Sequence, residues 1–136
     1  LLASSAASDV YKRQIYTGDN LPFFEENVYL AEEDILQSNY DKQDIFAHQV
    51  MNTNFWGRLS VLPDGKVYSN LNHPPLGTLK DRVYDLIVDE MTSKRAWRWI
   101  RDEVSPCKDC LFRYLCPSPS NYELVIGKPN LCHVKP

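Results

Sequence analysis

The sequence lacks the features that mark several large classes of protein. It has no cysteine before Cys107, and no hydrophobic run approaches the roughly 20 residues that a membrane helix requires. The 15 Lys and Arg residues are outnumbered by 18 Asp and Glu residues, so there is no excess of positive charge with which to bind nucleic-acid phosphates. The five glycines are scattered and form no Gly-x-Gly phosphate-binding loop. We therefore expect neither a membrane nor a nucleic acid as a partner.

The length of 136 residues is a further limit. A complete (β/α)₈ barrel enzyme needs about 250 residues, so this chain cannot contain one. The hydrophobic content of 43% is nevertheless enough for one small core, so we do not expect the chain to be disordered throughout. We expect a single unit of ordinary domain size.

The first fourteen residues are set apart by their composition. Residues 4–14 read Ser-Ser-Ala-Ala-Ser-Asp-Val-Tyr-Lys-Arg-Gln, which looks like the in-frame translation of a transposase-type sequencing adapter. We expect residues 1–14 to be an adapter-derived artefact and exclude them from reasoning about the fold. The alternatives are a polar tail or the end of a signal peptide, although Leu1-Leu2-Ala3 is short for a signal peptide's apolar region. Native sequence would then start near Ile15, inside a longer protein.

The central part of the chain predicts short helices followed by a β-hairpin. Residues 32–38 and 42–51 contain helix-favouring residues with apolar positions at partial helical spacing. Residues 58–71 contain two short alternating segments on either side of the turn sequence Pro63-Asp64-Gly65. Residues 72–77, with two adjacent prolines, are expected to form a loop.

Two further helices are predicted before the first cysteine. The first carries one apolar stripe at i, i+3, i+4 and i+8, formed by Val83, Leu86, Ile87 and Met91. A second short helix is predicted from Trp97 to Val104, ending before Pro106. We expect the Asp and Glu side chains to lie on solvated helix faces.

All four cysteines lie in the last thirty residues, in a segment rich in proline that cannot form long helices or central strands. Cys107 and Cys110 form a Cys-x2-Cys pair, Cys116 follows after five residues, and Cys132 after fifteen more. Four thiolates in such a segment satisfy the ligand demand of an iron–sulfur cluster. The alternatives are a tetrahedral zinc site, which often has two Cys-x2-Cys pairs rather than one, and a pair of disulfides.

The order of motifs favours the cluster. Residues 57–68 (Gly-Arg-Leu-Ser-Val-Leu-Pro-Asp-Gly-Lys-Val-Tyr), residues 76–79 (Leu-Gly-Thr-Leu) and the Cys-x2-Cys-x5-Cys triplet follow one another. Together they resemble the SPASM domain, the C-terminal auxiliary-cluster domain of radical S-adenosylmethionine enzymes that modify peptides. The resemblance covers residues 52–136 and implies an α+β fold, in which a β-hairpin and short helices support a loop-rich, cysteine-ligated segment. Residues 15–51 are then expected to be the end of a barrel-like region together with linker helices.

The resemblance also implies a ligand set. The second auxiliary cluster of the family uses the triplet and a late cysteine, which correspond here to Cys107, Cys110, Cys116 and Cys132. These four residues are therefore the expected ligands of one [4Fe-4S] cluster, with zinc as the alternative metal. The first auxiliary cluster of the family has cysteines at the positions of Asn70 and Ser120, so we expect that cluster to be absent. His133, although next to Cys132, is expected to be exposed or packed in its loop, because the four-cysteine set is complete without it.

A narrower group within the family is also similar. Residues 115–123 (Leu-Cys-Pro-Ser-Pro-Ser-Asn-Tyr-Glu) and 129–132 (Pro-Asn-Leu-Cys) look like those of pseudo-radical-SAM proteins from peptide-maturation systems with Gly-Gly leader peptides. The implied function is that of a bacterial, cytoplasmic accessory protein, without catalytic residues or an S-adenosylmethionine site in this chain. Its partners would be a ribosomally made precursor peptide, a partner radical maturase, or both. The alternatives are the C-terminal domain of an active maturase and a structural zinc-binding interaction module.

Overall fold

The computed structural model describes residues 15–93, 95–128 and 130–135, and these form the α+β fold that the sequence predicts. The expectation about residues 1–14 lies outside the described residues. In the described part there are five α-helices, two 3₁₀ turns and one three-stranded antiparallel sheet. The helices are α1 (Leu21–Asn27), α2 (Glu32–Leu36), α3 (Lys42–Val50), α4 (Val83–Ser93) and α5 (Asn121–Ile126). The strands are β1 (Ser60–Val61), β2 (Lys66–Tyr68) and β3 (Gly77–Thr78).

Helices α2 and α3 confirm the helices predicted at residues 32–38 and 42–51. Helix α3 begins where the Asp41 carboxylate accepts hydrogen bonds from the backbone N–H groups of Gln43 and Asp44, at 2.7 and 2.9 Å. The Asp44 carboxylate in turn accepts the N–H of Asp41, which completes a capping box. The unpaired N–H groups of the first turn are satisfied in this way, which fixes the start of the helix.

The hairpin predicted at residues 58–71 is confirmed, and the structure adds a third strand. Ser60 pairs with Tyr68 and Val61 with Val67, around a turn in which Gly65 has a φ of 80°. Strand β3 pairs with the other edge of β2 through Thr78 and Gly77, within a stretch in which the sequence predicted a loop up to residue 77. Two residues are too few for an alternating pattern, so the sequence carries no periodic signal for β3.

Helix α4 forms at its predicted place but buries only part of the predicted stripe. Leu86 is buried, whereas the side chains of Val83 and Ile87 are 61% and 36% exposed. The second inward residue is Glu90, which is fully buried. The expectation that acidic side chains lie on solvated faces is therefore wrong for Glu90, and it is also wrong for Glu123, which is only 4% exposed.

The prediction of a helix from Trp97 to Val104 is wrong, since only Arg101–Glu103 forms a 3₁₀ turn there. The carbonyl oxygen of Trp97 accepts a hydrogen bond from the N–H of Asn52 at 2.7 Å, and that of Trp99 accepts one from the Asn52 side-chain amide at 2.9 Å. These tertiary hydrogen bonds occupy carbonyl groups that a helix would use. They also hold Trp97 in the small core that it forms with Phe55 and Ala96.

The lengths of the helices bear on the expectation that a membrane is not a partner. In the stretches that the structure describes, no helix combines the length and the apolar character needed to cross a bilayer.

Candidate metal centre

The four cysteines, which span 26 positions of the chain, line one cavity. Cys107 begins a 3₁₀ turn (Cys107–Asp109), and the N–H of Cys110 bonds to the carbonyl oxygen of Cys107 at 3.0 Å, so the Cys-x2-Cys pair lies in one tight turn. Cys116 and Cys132 line the same cavity, whose empty space of about 420 Å³ includes a part open to solvent. None of the four is in a disulfide. The structure therefore brings together every residue of the predicted ligand set.

A segment near the start of the described chain forms one wall of this cavity. Leu30 and Ile35 line it beside the cysteines. Leu30 donates its N–H to the carbonyl oxygen of Leu131 at 3.0 Å and accepts the N–H of His133 at 3.0 Å, which makes a parallel bridge opposite Cys132. These bonds fix the last cysteine, which lies in a Pro-rich loop with little regular structure of its own.

His133 itself is engaged elsewhere. Its ring Nε2 lies 2.8 Å from the carbonyl oxygen of Glu25, and the ring lies against that of Tyr29 with 5.5 Å between centroids. The residue is exposed and contacts the N-terminal segment through its ring, which agrees with the expectation that it is not needed as a ligand.

A buried ion pair lies against the cysteines. Arg101 Nη1 is 2.5 Å from Glu123 Oε1, and the two side chains are 8% and 2% exposed. The guanidinium also donates from Nε to the carbonyl oxygen of Pro117 at 3.1 Å and from Nη1 to the sulfur of Cys107 at 3.8 Å. Arg101 thus connects helix α5, the loop after Cys116 and the first cysteine.

Helix α5 presents Glu123 through a capping box. Ser120 donates both its N–H and its hydroxyl to Glu123 Oε2, at 2.5 and 2.8 Å. The carboxylate therefore caps its own helix with one oxygen and pairs with Arg101 through the other. The sequence signal for this arrangement was present as Ser-x-x-Glu, but nothing in it indicated that the carboxylate would be buried.

Burial controls the acidity of two of the thiols. Desolvation raises the pKa of Cys107 above the usual thiol value, and the charge of Arg101 opposes the rise. Desolvation raises the pKa of Cys116 to about 11, again with Arg101 opposing it and the neighbouring cysteines adding to it. These two groups are therefore thiols at neutral pH when no cation is bound, and a bound metal would hold them as thiolates.

The two positions at which the resemblance expects further cysteines lie close together and are hydrogen-bonded. Asn70 is 5% exposed, and its side-chain amide donates to the Asn121 side chain at 2.7 Å. Asn121 adjoins Ser120, whose hydroxyl is bonded to Glu123. The Asn70 side-chain oxygen accepts the N–H of Asn72 at 2.9 Å. Side-chain amides thus join two segments fifty residues apart, and the Ser120 hydroxyl bonds within its own segment.

Sequence reasoning did not assign a role to two other residues that lie near the cysteines. His48 is buried, and its Nδ1 lies 2.9 Å from the carbonyl oxygen of Tyr114, two residues before Cys116. The Tyr40 ring lies edge-on to His48 at 4.9 Å, and burial is the main cause that raises the pKa of Tyr40. No local motif marks either residue, because both positions depend on how helix α3 packs.

The chemistry of the donor set fits an iron–sulfur cluster. Four thiols without a disulfide line one cavity, with a buried cation beside them that can offset thiolate charge. In the part of the chain that the structure describes, no three or more His, Cys, Asp or Glu side chains are arranged so that they could hold a metal ion as they stand. The fit is thus one of donor type and number, and the thiols would have to close around a bound group.

Comparison with known proteins adds no relative. No protein-family model matches the chain, no curated protein is significantly similar to it, and no solved structure matches it. The resemblance described from the sequence motifs therefore stays a prediction.

Proposed function

We propose that this chain is an iron–sulfur-binding accessory unit of the SPASM type, which acts in the maturation of a ribosomally made peptide in the bacterial cytoplasm and has no radical chemistry of its own. The observation that carries the proposal is the convergence of all four cysteines on one cavity, with none in a disulfide. Cys107, Cys110, Cys116 and Cys132 would hold one [4Fe-4S] cluster.

The role that we propose for the cluster is mainly structural. The segment from Ser105 to Ser120 contains one 3₁₀ turn and no helix or strand longer than that. Such a segment has few regular backbone hydrogen bonds. Ligation of a metal group by its three cysteines and by Cys132 of the return loop would therefore couple binding to folding. The bridge between Leu30 and Cys132 and the Arg101–Glu123 pair would then hold the ligated loop against the rest of the molecule.

The engaged state of Asn70 and Ser120 supports the accessory role. In the family that the sequence resembles, these positions supply cysteines to a first auxiliary cluster. Here one is a buried amide and the other a helix-capping hydroxyl. A chain in which those positions stabilise the fold has exchanged cluster ligation for hydrogen bonding there, which fits a scaffold better than an electron relay.

Anaerobic reconstitution of the full chain with iron and sulfide tests the ligand assignment. The wild-type protein should bind iron and sulfide in equal amounts and turn brown, with absorbance in the visible range. Cys110→Ser should lose most of the bound iron and leave the segment after residue 105 readily digested by protease. Leu111→Ala is the matched control, because this neighbouring side chain is 92% exposed and should change neither result. A colourless wild-type protein that binds zinc instead would overturn the cluster assignment.

The partner is tested separately. The reconstituted chain should bind a fluorescently labelled precursor peptide that carries a Gly-Gly leader, and should bind a scrambled peptide of the same composition much less. Equal binding of the two peptides would refute the proposed role in peptide maturation.

Sequencing upstream of residue 15 decides between an accessory protein and the tail of an active maturase, since the latter requires a Cys-x3-Cys-x2-Cys motif there.

A further inference from the structure

Arg101 lies close enough to the cysteines for its positive charge to affect the reduction potential of the proposed metal group. Its guanidinium is buried, and its Nη1 donates to the sulfur of Cys107 at 3.8 Å. A cluster ligated by four thiolates carries net negative charge and gains another negative charge when it is reduced by one electron. N–H donors to the sulfurs and a nearby positive charge both favour the reduced form.

Glu123 opposes that effect, because its carboxylate pairs with the same guanidinium nitrogen, Nη1, that donates to Cys107. Its carboxylate is within 2.5 Å of Arg101 Nη1 and only 2% exposed, so water screens its charge weakly. A second N–H donor faces the opposite end of the ligand set, because the Asn130 side-chain amide lies 3.4 Å from the sulfur of Cys132. The described surroundings of the cysteines therefore include side-chain N–H donors from Arg101 and Asn130 and the buried Arg101–Glu123 pair, while Arg113, which also lines the cavity, is paired with Asp102 and is less buried.

We infer that Arg101 is a positioning residue that sets the reduction potential of the bound cluster, with Glu123 as the opposing charge and Asn130 as a weaker second donor. The inference rests on the proposed function, since it requires a cluster on the four cysteines. It goes further in assigning an electronic role to three side chains outside the ligand set. It also predicts that removing the two members of one ion pair has effects of opposite sign.

The experiment is a redox titration of the reconstituted full chain with dithionite, followed by visible absorbance and electron paramagnetic resonance. Arg101→Gln removes the cation and should lower the equilibrium constant for reduction at least tenfold, which is about 59 mV for one electron. Glu123→Gln leaves the cation without its counter-charge and should raise that constant by a similar factor. Asn130→Ala should lower it by a smaller factor. Arg95→Gln is the matched control, because Arg95 pairs with Asp89 on helix α4 and should leave the potential unchanged.

The outcomes separate this inference from the proposed function. A wild-type chain that binds no iron–sulfur cluster overturns both. Clusters that form with equal potentials in wild type and Glu123→Gln, or with shifts of the same sign in Arg101→Gln and Glu123→Gln, overturn the inference alone. Breaking a buried ion pair can prevent folding. If Arg101→Gln does not fold, Arg101→Lys replaces it, because it retains the charge. Its reduction potential should lie closer to that of the wild type than the potential of Asn130→Ala does. The directions in which Glu123→Gln and Asn130→Ala shift the potential then test the inference.

Discussion

The fully buried carboxylate of Glu90 is expected to be the polar group whose loss destabilises the fold most. Glu90 Oε1 accepts the backbone N–H groups of Ala96 and Trp97 at 2.7 and 2.9 Å, and Oε2 accepts the Ser69 hydroxyl at 2.8 Å. The side chain thereby ties helix α4 to the end of strand β2 and to the core residue Trp97. Among the described residues, no backbone carbonyl group accepts either of these two N–H groups.

Glu90→Ala should cost about 3–5 kcal/mol of unfolding free energy. The substitution leaves two buried N–H groups without an acceptor, at about 1–3 kcal/mol each, and it also removes the hydrogen bond to Ser69. A loss of that size is a large fraction of the roughly 5–15 kcal/mol by which a domain is stable. Glu90→Gln keeps an oxygen that can accept the backbone N–H groups, so it should recover more than half of the loss.

Urea denaturation followed by tryptophan fluorescence measures the effect, since Trp97 lies beside the substituted residue. Asp89→Ala is the matched control, because Asp89 is 47% exposed and its pair with Arg95 is worth at most about 1 kcal/mol. The reasoning is refuted if Glu90→Ala and Asp89→Ala lower the unfolding free energy equally, because the burial of the carboxylate would then carry no special weight.

Two further predictions concern the turn before helix α4. Gly77→Ala should destabilise the protein by about 1–3 kcal/mol, because a Cβ at Gly77 would lie 2.7 Å from both Asp81 Oδ2 and Leu86 Cδ2. The control Leu79→Ala, at an exposed position, should lower the unfolding free energy by less than about 0.5 kcal/mol in the same urea assay. Equal losses in the two variants would argue against the steric reason. Hydrogen bonds from the Thr78 N–H and hydroxyl hold the pKa of Asp81 below its usual value. The ionised Asp81 carboxylate therefore stabilises the fold above the unfolded-state pKa of about 3.9, and this stabilisation is lost as the pH falls through the lower folded-state pKa. The difference in urea midpoint between wild type and Asp81→Asn should therefore shrink below about pH 4, and a difference that does not change with pH would contradict this.

Local sequence signals predicted the elements that depend on local chemistry. The hairpin follows from alternating residues around Pro63-Asp64-Gly65, and helix α3 from its helix-favouring residues and apolar spacing, while its Asp41 cap was found only in the structure. The helix predicted from Trp97 failed because Asn52, 45 residues earlier, takes the carbonyl oxygens of Trp97 and Trp99. Periodicity also predicted helix α4 without specifying which side would be buried, and the buried side proved to contain Glu90 as well as Leu86. Tertiary hydrogen bonds decided both outcomes.

At the candidate site, too, local sequence signals were informative and tertiary contacts were not predictable. The sequence grouped the four cysteines into one expected site, and in the structure all four line one cavity. The wall of the cavity was not predictable, since Leu30 and Ile35 come from a stretch that the sequence assigned to a linker, and Arg101 from a helix that does not form.

The support of the last cysteine comes from far along the chain. Cys132 lies in a loop without regular structure, and its backbone position is fixed by Leu30, 102 residues earlier, through hydrogen bonds to Leu131 and His133. The proposed cluster would require its fourth ligand at a defined distance from the other three, which a free loop would provide only at a cost in conformational entropy. Pairing with Leu30 meets part of that cost before any metal binds. The segment around Leu30 therefore belongs physically with the cysteines, and it carries the ordering of the site that the Pro-rich segment cannot supply.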